Sequence, residues 1–326
     1  MKKILELIIL ACLLLISGLV HSQTLINKGS KLIIKENTNL VIHGDYINQS
    51  DGDLQSNGII KITGDWTNNA TNGNLMVEST GYVQFIGNQD QTIGGTATTS
   101  FPGLMISQFT GKVLLDVNTV CSGTTQITGR EFCLQGHTFT AGPQILVSVQ
   151  GTISVDGGAL VEMPDLGYFG VSPNGTAKFL GSETLPAAIK SNQGFYSFEV
   201  VSGANIHASH TIFESMDTDG LQITGYVDPI NSFNSCTFRN GLFGGSLITF
   251  NNNDPITVYD AHFPENTWGG GYNISKINDV GNVIFESAHG NFAGEWFEND
   301  PNDLVAWFET EMSHEESLKK GWNGMS

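Results

Sequence analysis

A short strand that ends in a glycine turn recurs every 20 to 25 residues along most of this chain, and this repeat constrains the fold more than any other feature. Segments 40–46, 60–66 and 83–88 each alternate apolar and polar residues and then reach Gly-Asp or Gly-Asn. Alternation places successive side chains on opposite faces of a strand, and glycine supplies the positive φ of a sharp turn. The alternation predicts that one face carries Leu40, Ile42, Ile60, Ile62, Val83 and Phe85.

The C-terminal half repeats a phenylalanine at a similar period. Phe213, Phe238, Phe263 and Phe285 are spaced by 25, 25 and 22 residues, and glycine-rich turns separate them. Equivalent positions of stacked repeats lie above one another, about 4.8 Å apart in a parallel sheet. The spacing therefore predicts that the four rings form one buried internal ladder.

Short strands at this period, without room for helices between the turns, predict an all-β chain. The specific prediction is a right-handed parallel β-helix, or β-solenoid, with coils of about 20–25 residues. A pair of β-sandwiches is the alternative, because Asn57-Gly58 and Asn174-Gly175 suit hairpin turns. A sandwich explains less well why one phenylalanine recurs in every repeat.

The N-terminus has the three-part layout of a secretory signal peptide. Lys2 and Lys3 precede an apolar run over residues 4–20, and Val20-His21-Ser22 predicts cleavage before Gln23. A membrane anchor and a lipoprotein signal ending at Cys12 are the alternatives. Removal of residues 1–22 predicts a secreted protein or one on the outer cell surface.

The mature chain divides by the quality of its repeats. Residues 23–150 hold the N-terminal solenoid repeats, and residues 151–309 hold the parallel β-helix with the phenylalanine ladder. Regular spacing is lost across residues 150–190. Residues 310–326 are predicted to form a short helical or disordered tail, in which Ser313 and Glu316 suit a capping box.

Charge and cysteine content limit the partners. The chain has 32 acidic and 14 basic residues and a net charge of −18, which disfavours nucleic acid and anionic membranes. Cys121 and Cys133 can pair in an oxidising compartment, whereas Cys236 is predicted to be a buried small apolar residue.

Aromatic residues are the ligand candidates, because exposed rings stack on the apolar faces of sugars. The candidates are Tyr46, Trp66, Trp268 and Tyr272. Tyr46 and Trp66 lie one repeat apart just after the turn glycine, so an alternative role for them is to seal the edge of the coil.

Acidic and histidine-containing segments suggest weaker sites. Asp217 and Asp219 are candidates for weak Ca²⁺ binding, although carboxylates before a glycine more often accept local backbone hydrogen bonds. Glu214 and Arg239 follow the ladder phenylalanine on adjacent repeats, which predicts a surface ion pair or, alternatively, half of a polysaccharide-lyase site. His207-Ala208-Ser209-His210 is not predicted to hold a shared metal, because its two rings face opposite sides of a strand.

The phenylalanine repeat with its Asn-Gly turns resembles right-handed parallel β-helix domains of secreted bacterial surface proteins. The segments 64–69 and 87–93 (Gly-Asp-Trp-Thr-Asn-Asn and Gly-Asn-Gln-Asp-Gln-Thr-Ile) and 290–301 resemble strand-rich repeats of large exported proteins of type IX-secreting bacteria. The resemblance implies an exported, surface-exposed and adhesive role and brings no catalytic residue with it. Such proteins usually end in a C-terminal sorting domain, which is not recognisable here, so either the chain is a truncated product or it is exported by another route.

These observations predict a non-catalytic secreted or cell-surface structural or adhesive β-solenoid that binds an extracellular glycan or surface protein. No cofactor is expected, although weak Ca²⁺ binding is. The alternative is a polysaccharide-degrading β-helix enzyme, either a lyase or a glycoside hydrolase. An enzyme would require carboxylates that converge in one groove.

Overall fold

The computed structural model describes residues 23–71, 75–76, 78–107, 110–264 and 271–309. The predicted signal peptide (1–22), the predicted tail (310–326) and the ligand candidate Trp268 lie outside the described residues. In the described part of the chain the only helical element is one 3₁₀ turn, Glu295–Phe297.

The chain winds into a β-solenoid of about 12 turns. Each full coil contributes a strand to face 1, then to face 2, then to face 3. Every described strand pair is parallel, from the pairing of Leu25–Lys28 with Tyr46–Ser50 onward, which excludes the antiparallel sandwiches. The predicted β-solenoid is therefore confirmed. One coil takes 20 residues between Asn48 and Asn68 and 25 between Glu214 and Arg239, as predicted, whereas others take 19 (Lys112 to Glu131) and 29 (Thr176 to Asn205).

Face 1 is a ten-stranded sheet that three further strands continue. Its strands are Leu25–Lys28, Tyr46–Ser50, Trp66–Ala70, Gln91–Gly95, Lys112–Leu115, Glu131–Cys133, Thr152–Asp156, Thr176–Leu180, Asn205–Ser209 and Tyr226–Asn234, then Ile256–Tyr259, Val283–Glu286 and Val305–Phe308. Face 2 comprises the pair Lys31–Ile34 and Asp53–Ser56 and the seven strands Thr99–Phe101, Thr119–Cys121, Thr138–Thr140, Leu160–Met163, Ala187–Ser191, Thr211–Glu214 and Thr237–Arg239. Face 3 has the eleven strands Asn39–Ile42, Ile59–Ile62, Tyr82–Phe85, Leu104–Ile106, Thr125–Ile127, Gln144–Val147, Tyr168–Val171, Tyr196–Val200, Met216–Ile223, Ser246–Phe250 and Tyr272–Ser275.

The core is a continuous apolar column inside the coils. Strands such as Trp66–Ala70 and Tyr196–Val200 alternate buried and partly exposed residues, because only one side of each sheet faces the interior. On face 3 the predicted inward residues align between coils: Ile42 pairs with Ile62, which pairs with Phe85. Hydrogen bonds between coils and apolar packing within them thus act together along the whole stack.

The sheets run without interruption past residue 150. Glu131–Cys133 pairs with Thr152–Asp156, which pairs in turn with Thr176–Leu180. Residues 23–150 and 151–309 therefore belong to one continuous stack of coils, because both use the same three-faced repeat.

Three of the four repeated phenylalanines form a stacked column inside face 2. The ring centroids of Phe213 and Phe238 lie 5.3 Å apart with an interplanar angle of 9°, and those of Phe238 and Phe263 lie 5.5 Å apart at 19°. All three are buried. The 25-residue spacing keeps the rings in register from coil to coil.

Phe285 does not belong to this column, contrary to the sequence prediction. It lies on face 1, in register with Val258 and Trp307, and stacks on the Trp307 ring at 4.3 Å. On face 2 the register of His262 with His289 places Gly290 opposite Phe263. The 22-residue spacing therefore brings Phe285 only as far as face 1, where it meets the edge of Phe263 at 5.7 Å.

Candidate ligand-binding groove

The structure separates the predicted aromatic ligand residues. Tyr46 and Trp66 are fully buried, with ring centroids 4.4 Å apart, so neither reaches a ligand at the surface. Each begins a face-1 strand at an inward position, so the pair forms part of the core. Tyr272 begins the last face-3 strand and is 40% exposed, but it does not line the groove described below.

Asp217 and Asp219 form a local turn. One carboxylate oxygen of Asp217 accepts a hydrogen bond from the backbone N–H of Asp219 at 3.1 Å, and the other accepts one from the hydroxyl of Ser197. Both oxygens thus have protein partners. Among the described residues, no group of three or more His, Cys, Asp or Glu side chains is arranged to hold a metal ion.

Glu214 and Arg239 form the predicted cross-strand ion pair. They are opposite each other in the register of face 2, and Nε and Nη2 of Arg239 donate to one oxygen of Glu214 at 3.1 and 2.8 Å. Asn240 donates to the other oxygen at 2.8 Å. Burial alone would raise the pKa of Glu214, but the bonds from Asn240 and Arg239 hold it below its usual value.

The three described cysteines are free and buried. Burial, the largest cause, raises the pKa of Cys133 and of Cys236 to about 12, so both are neutral thiols. Cys121 and Cys133 are not joined, because Cys121 lies in face 2 and Cys133 in face 1.

A groove of about 510 Å³ opens at the corner where face 1 turns into face 2. Four successive coils contribute to its lining, in turn through residues 210–212, through Ser235 and Thr237, through Asp260 and His262, and through His289. The preceding coil adds Ser182, Glu183 and Pro186 from its connection between Thr176–Leu180 and Ala187–Ser191. The groove thus crosses five coils.

The connecting loop 181–186 forms a compact rim. Ser182 and Leu185 exchange backbone hydrogen bonds at 2.9 and 3.2 Å, and the loop is anchored by Gly181, whose N–H donates to Ser209 O at 3.0 Å. A Cβ on Gly181 would lie 2.2 Å from the carbonyl oxygen of His210, so only glycine fits this close approach. The rim therefore has a defined position beside the corner.

The corner itself is built from residues in the left-handed conformation. His210, Ser235, Asp260 and Ser287 have φ between 47° and 61° and occupy equivalent places in consecutive coils. The backbone N–H of each of them donates to the residue that precedes the corner in the next coil, for example Ser235 to Tyr259 O at 2.8 Å. This conformation turns the chain sharply and is unfavourable for most side chains, so it indicates that the stacking of coils imposes it.

Two histidines stack on the face-2 side of the groove. His262 and His289 are in register, their ring centroids lie 4.5 Å apart, and their planes are inclined by 10°. Nδ1 of His289 lies 3.5 Å from an oxygen of Asp260, and the other oxygen of Asp260 accepts a hydrogen bond from Ser235 at 3.1 Å. Burial is the largest cause that lowers the pKa of His262, and the nearby His289 and Arg239 add to it.

One sequence feature could have predicted this histidine pair. Small-residue–histidine dipeptides, Ala261-His262 and Ala288-His289, occur one repeat apart. His207 and His210 lie apart from each other, as the sequence predicts. The His207 ring is hydrogen-bonded to Asp228 at 2.9 Å on face 1, whereas His210 lies at the corner.

A smaller depression of about 320 Å³ lies among Lys112, Arg130 and Glu131. Its charges pair within the protein, because Glu131 is 2.8 Å from the ammonium of Lys112 and 3.7 Å from that of Lys178. The larger groove is therefore the better candidate for a ligand.

No helix in the described residues is long and apolar enough to cross a membrane. Comparisons with protein-family models, curated proteins and solved structures give no match.

Proposed function

We propose that this protein is a non-catalytic, secreted or cell-surface β-solenoid with a structural and adhesive role, and that it binds glycan in the groove at the corner of faces 1 and 2. The observation that carries the proposal is this open polar groove, which is larger than the depression at Lys112 and collects its lining from five coils. Packed side chains fill the interior along the length of the stack, so a ligand has access only to the outer surface.

The lining of the groove suits a polyhydroxylated ligand. Glu183 and Asp260 supply carboxylate acceptors, Thr237 supplies a hydroxyl, and imidazoles both donate and accept. Pro186 and Ile212 add apolar surface that can contact the C–H groups of a sugar ring. A mixture of a few convergent polar groups with apolar surface is typical of small-ligand sites.

A binding assay with a catalytic control tests the proposal. Purified chain from Gln23 is passed over a panel of immobilised polysaccharides, and bound protein and released sugar are both measured. We expect binding that Thr237→Trp abolishes by filling the groove, while Phe243→Ala, a change at an exposed residue outside it, leaves binding intact. Retention of full binding by a folded Thr237→Trp variant would contradict the assignment.

One observation favours a second candidate, a polysaccharide-degrading enzyme. Glu183 and Asp260 line the same groove, and two carboxylates are the minimum for acid–base cleavage of a glycosidic bond. New reducing ends or unsaturated uronates that disappear in Glu183→Gln and Asp260→Asn would replace the adhesive proposal with the enzyme.

Calcium enters the proposal as a weak and distributed counter-ion. The chain has 32 acidic and 14 basic residues, and this negative charge attracts divalent cations without a dedicated site. We expect millimolar CaCl₂ to raise the melting temperature by only about 1–3 °C, equally in wild type and Asp217→Asn, since a site at Asp217 would make the two differ.

A further inference from the structure

We infer that the groove selects glycans by charge and that its histidines set this selection: it accepts uncharged sugars near neutral pH and carboxylate-bearing sugars in mild acid. This inference rests on the glycan-binding function proposed above and specifies the ligand class and the regulation of the same site.

The charges that face the groove come from each element around it. The rim loop contributes Glu183, the corner contributes His210 and Asp260, and face 2 contributes His262 and His289. The neighbouring Glu214 and Arg239 on face 2 neutralise one another through their two hydrogen bonds. The groove therefore contains two carboxylates and three imidazoles whose charge depends on pH.

Near neutral pH the carboxylates dominate. Imidazoles ordinarily lose their proton near pH 6.5, and His262 does so lower still, for the reasons given above. The groove then carries the negative charge of Glu183 and Asp260 on a chain whose net charge is −18. An anionic sugar is repelled, whereas the hydroxyls of an uncharged sugar can donate to both carboxylates.

In mild acid the balance reverses. Imidazoles ordinarily take up a proton in this range, and Nδ1 of His289 already lies 3.5 Å from a carboxylate oxygen of Asp260. Two imidazolium charges offset two carboxylates, and a proton on His262 adds a further positive charge. Full protonation of the stack is opposed, because its ring centroids are only 4.5 Å apart, and a sugar carboxylate beside the edges of the rings would relieve that repulsion.

Two imidazoles let ligand binding depend more steeply on pH than one histidine would, because each proton taken up on binding adds to the dependence. A carboxylate ligand favours the protonated pair, and the protonated pair favours the ligand, since binding and protonation are linked. Sugar carboxylates have pKa values well below 5, so the ligand keeps its charge over the range in which the imidazoles titrate.

The test compares two matched tetrasaccharides, one neutral and one of uronic acids, by calorimetry at pH 7.5 and 5.0. In wild type we expect the ratio of their dissociation constants, uronate over neutral, to fall by about tenfold or more between the two pH values. In the double variant His262→Gln/His289→Gln, which keeps polar side chains at both positions, we expect a smaller change, of about threefold or less, because His210 is the one lining imidazole that it retains. His43→Gln, on an exposed histidine outside the groove, is the matched control and should behave as wild type.

The outcomes distinguish failure of the charge selection from failure of glycan binding itself. Binding of the neutral tetrasaccharide with a ratio that does not change with pH, or that changes equally in the double variant, overturns the charge selection and leaves the proposed function standing. Failure of both tetrasaccharides to bind at either pH overturns both. Thermal melts of the double variant show that it is folded, and the imidazole proton resonances of wild type show directly whether the pair titrates over this range.

Discussion

Removal of one ring from the stacked phenylalanine column measures how much the column stabilises the solenoid. Phe238 is the central ring: Phe213 and Phe263 stack on its two faces at 5.3 and 5.5 Å, and Phe233 approaches at 5.9 Å. Its side chain is buried. Replacement by alanine therefore leaves a cavity between two coils that the surrounding strands cannot close without breaking their register.

The magnitude follows from burial and from the ring contacts. Truncation of a buried phenylalanine to alanine typically costs about 3–5 kcal/mol through lost transfer energy and the cavity. Each aromatic pair adds about 0.5–1.5 kcal/mol beyond its burial, and Phe238→Ala removes two stacked pairs. We therefore expect the free energy of unfolding to fall by about 4–5 kcal/mol, at the upper end of the range.

Urea denaturation followed by tryptophan fluorescence measures the change. Phe243→Ala is the matched control, because Phe243 is 68% exposed, and it should change the free energy of unfolding by less than about 0.5 kcal/mol. Repeat proteins can unfold in parts, so circular dichroism must give the same midpoint for the comparison to hold. A loss below about 1 kcal/mol in Phe238→Ala, equal to that of the control, would refute the argument from packing.

Three further predictions concern charged groups. Glu214→Gln should lower the free energy of unfolding by about 1 kcal/mol, a modest value because Arg239 is partly exposed. Since the folded-state pKa of Glu214 lies below its unfolded value, the wild-type advantage should be complete above pH 5 and disappear as the pH falls through the folded value; an advantage that persists at pH 2 contradicts this. Lys276 is buried with its ammonium within 3.4 Å of four protein oxygens, and burial lowers its pKa. Lys276→Met leaves those oxygens unpaired and should cost about 2–3 kcal/mol in urea denaturation, and a neutral result would show that water replaces the ammonium. The imidazole of His262 should titrate below pH 6.5 in NMR spectra, so protonation favours the unfolded state and stability falls as the pH drops through this range, and a midpoint above pH 6.5 would contradict the burial argument.

The local sequence pattern was sufficient to predict the β-solenoid architecture. Alternating strands, glycine turns and a 20–25-residue period are properties of single repeats, and stacking of such repeats is the way to bury their apolar faces. The same reasoning placed Phe213, Phe238 and Phe263 above one another and paired Glu214 with Arg239, because residues at equal positions in consecutive repeats become neighbours across the sheet.

Local sequence pattern could not predict the side-chain positions that depend on how many residues each corner contains. One more or one fewer residue at a turn reverses which side of the sheet a side chain faces, and Tyr46 and Trp66 accordingly lie in the core rather than at a ligand site. The same effect moved Phe285 from face 2 to face 1.

The repeat period and two inward columns, Ile42–Ile62–Phe85 and Phe213–Phe238–Phe263, are therefore properties of the sequence alone, because each repeat specifies its own strands and turns. The groove was decided by the tertiary structure. Its lining comes from five coils, and Glu183, Asp260 and His289 meet only because the loop 181–186 is inserted in one coil and the left-handed corners of the next coils align beneath it. That alignment depends on the hydrogen-bond register between coils, which closes only when the whole stack is formed.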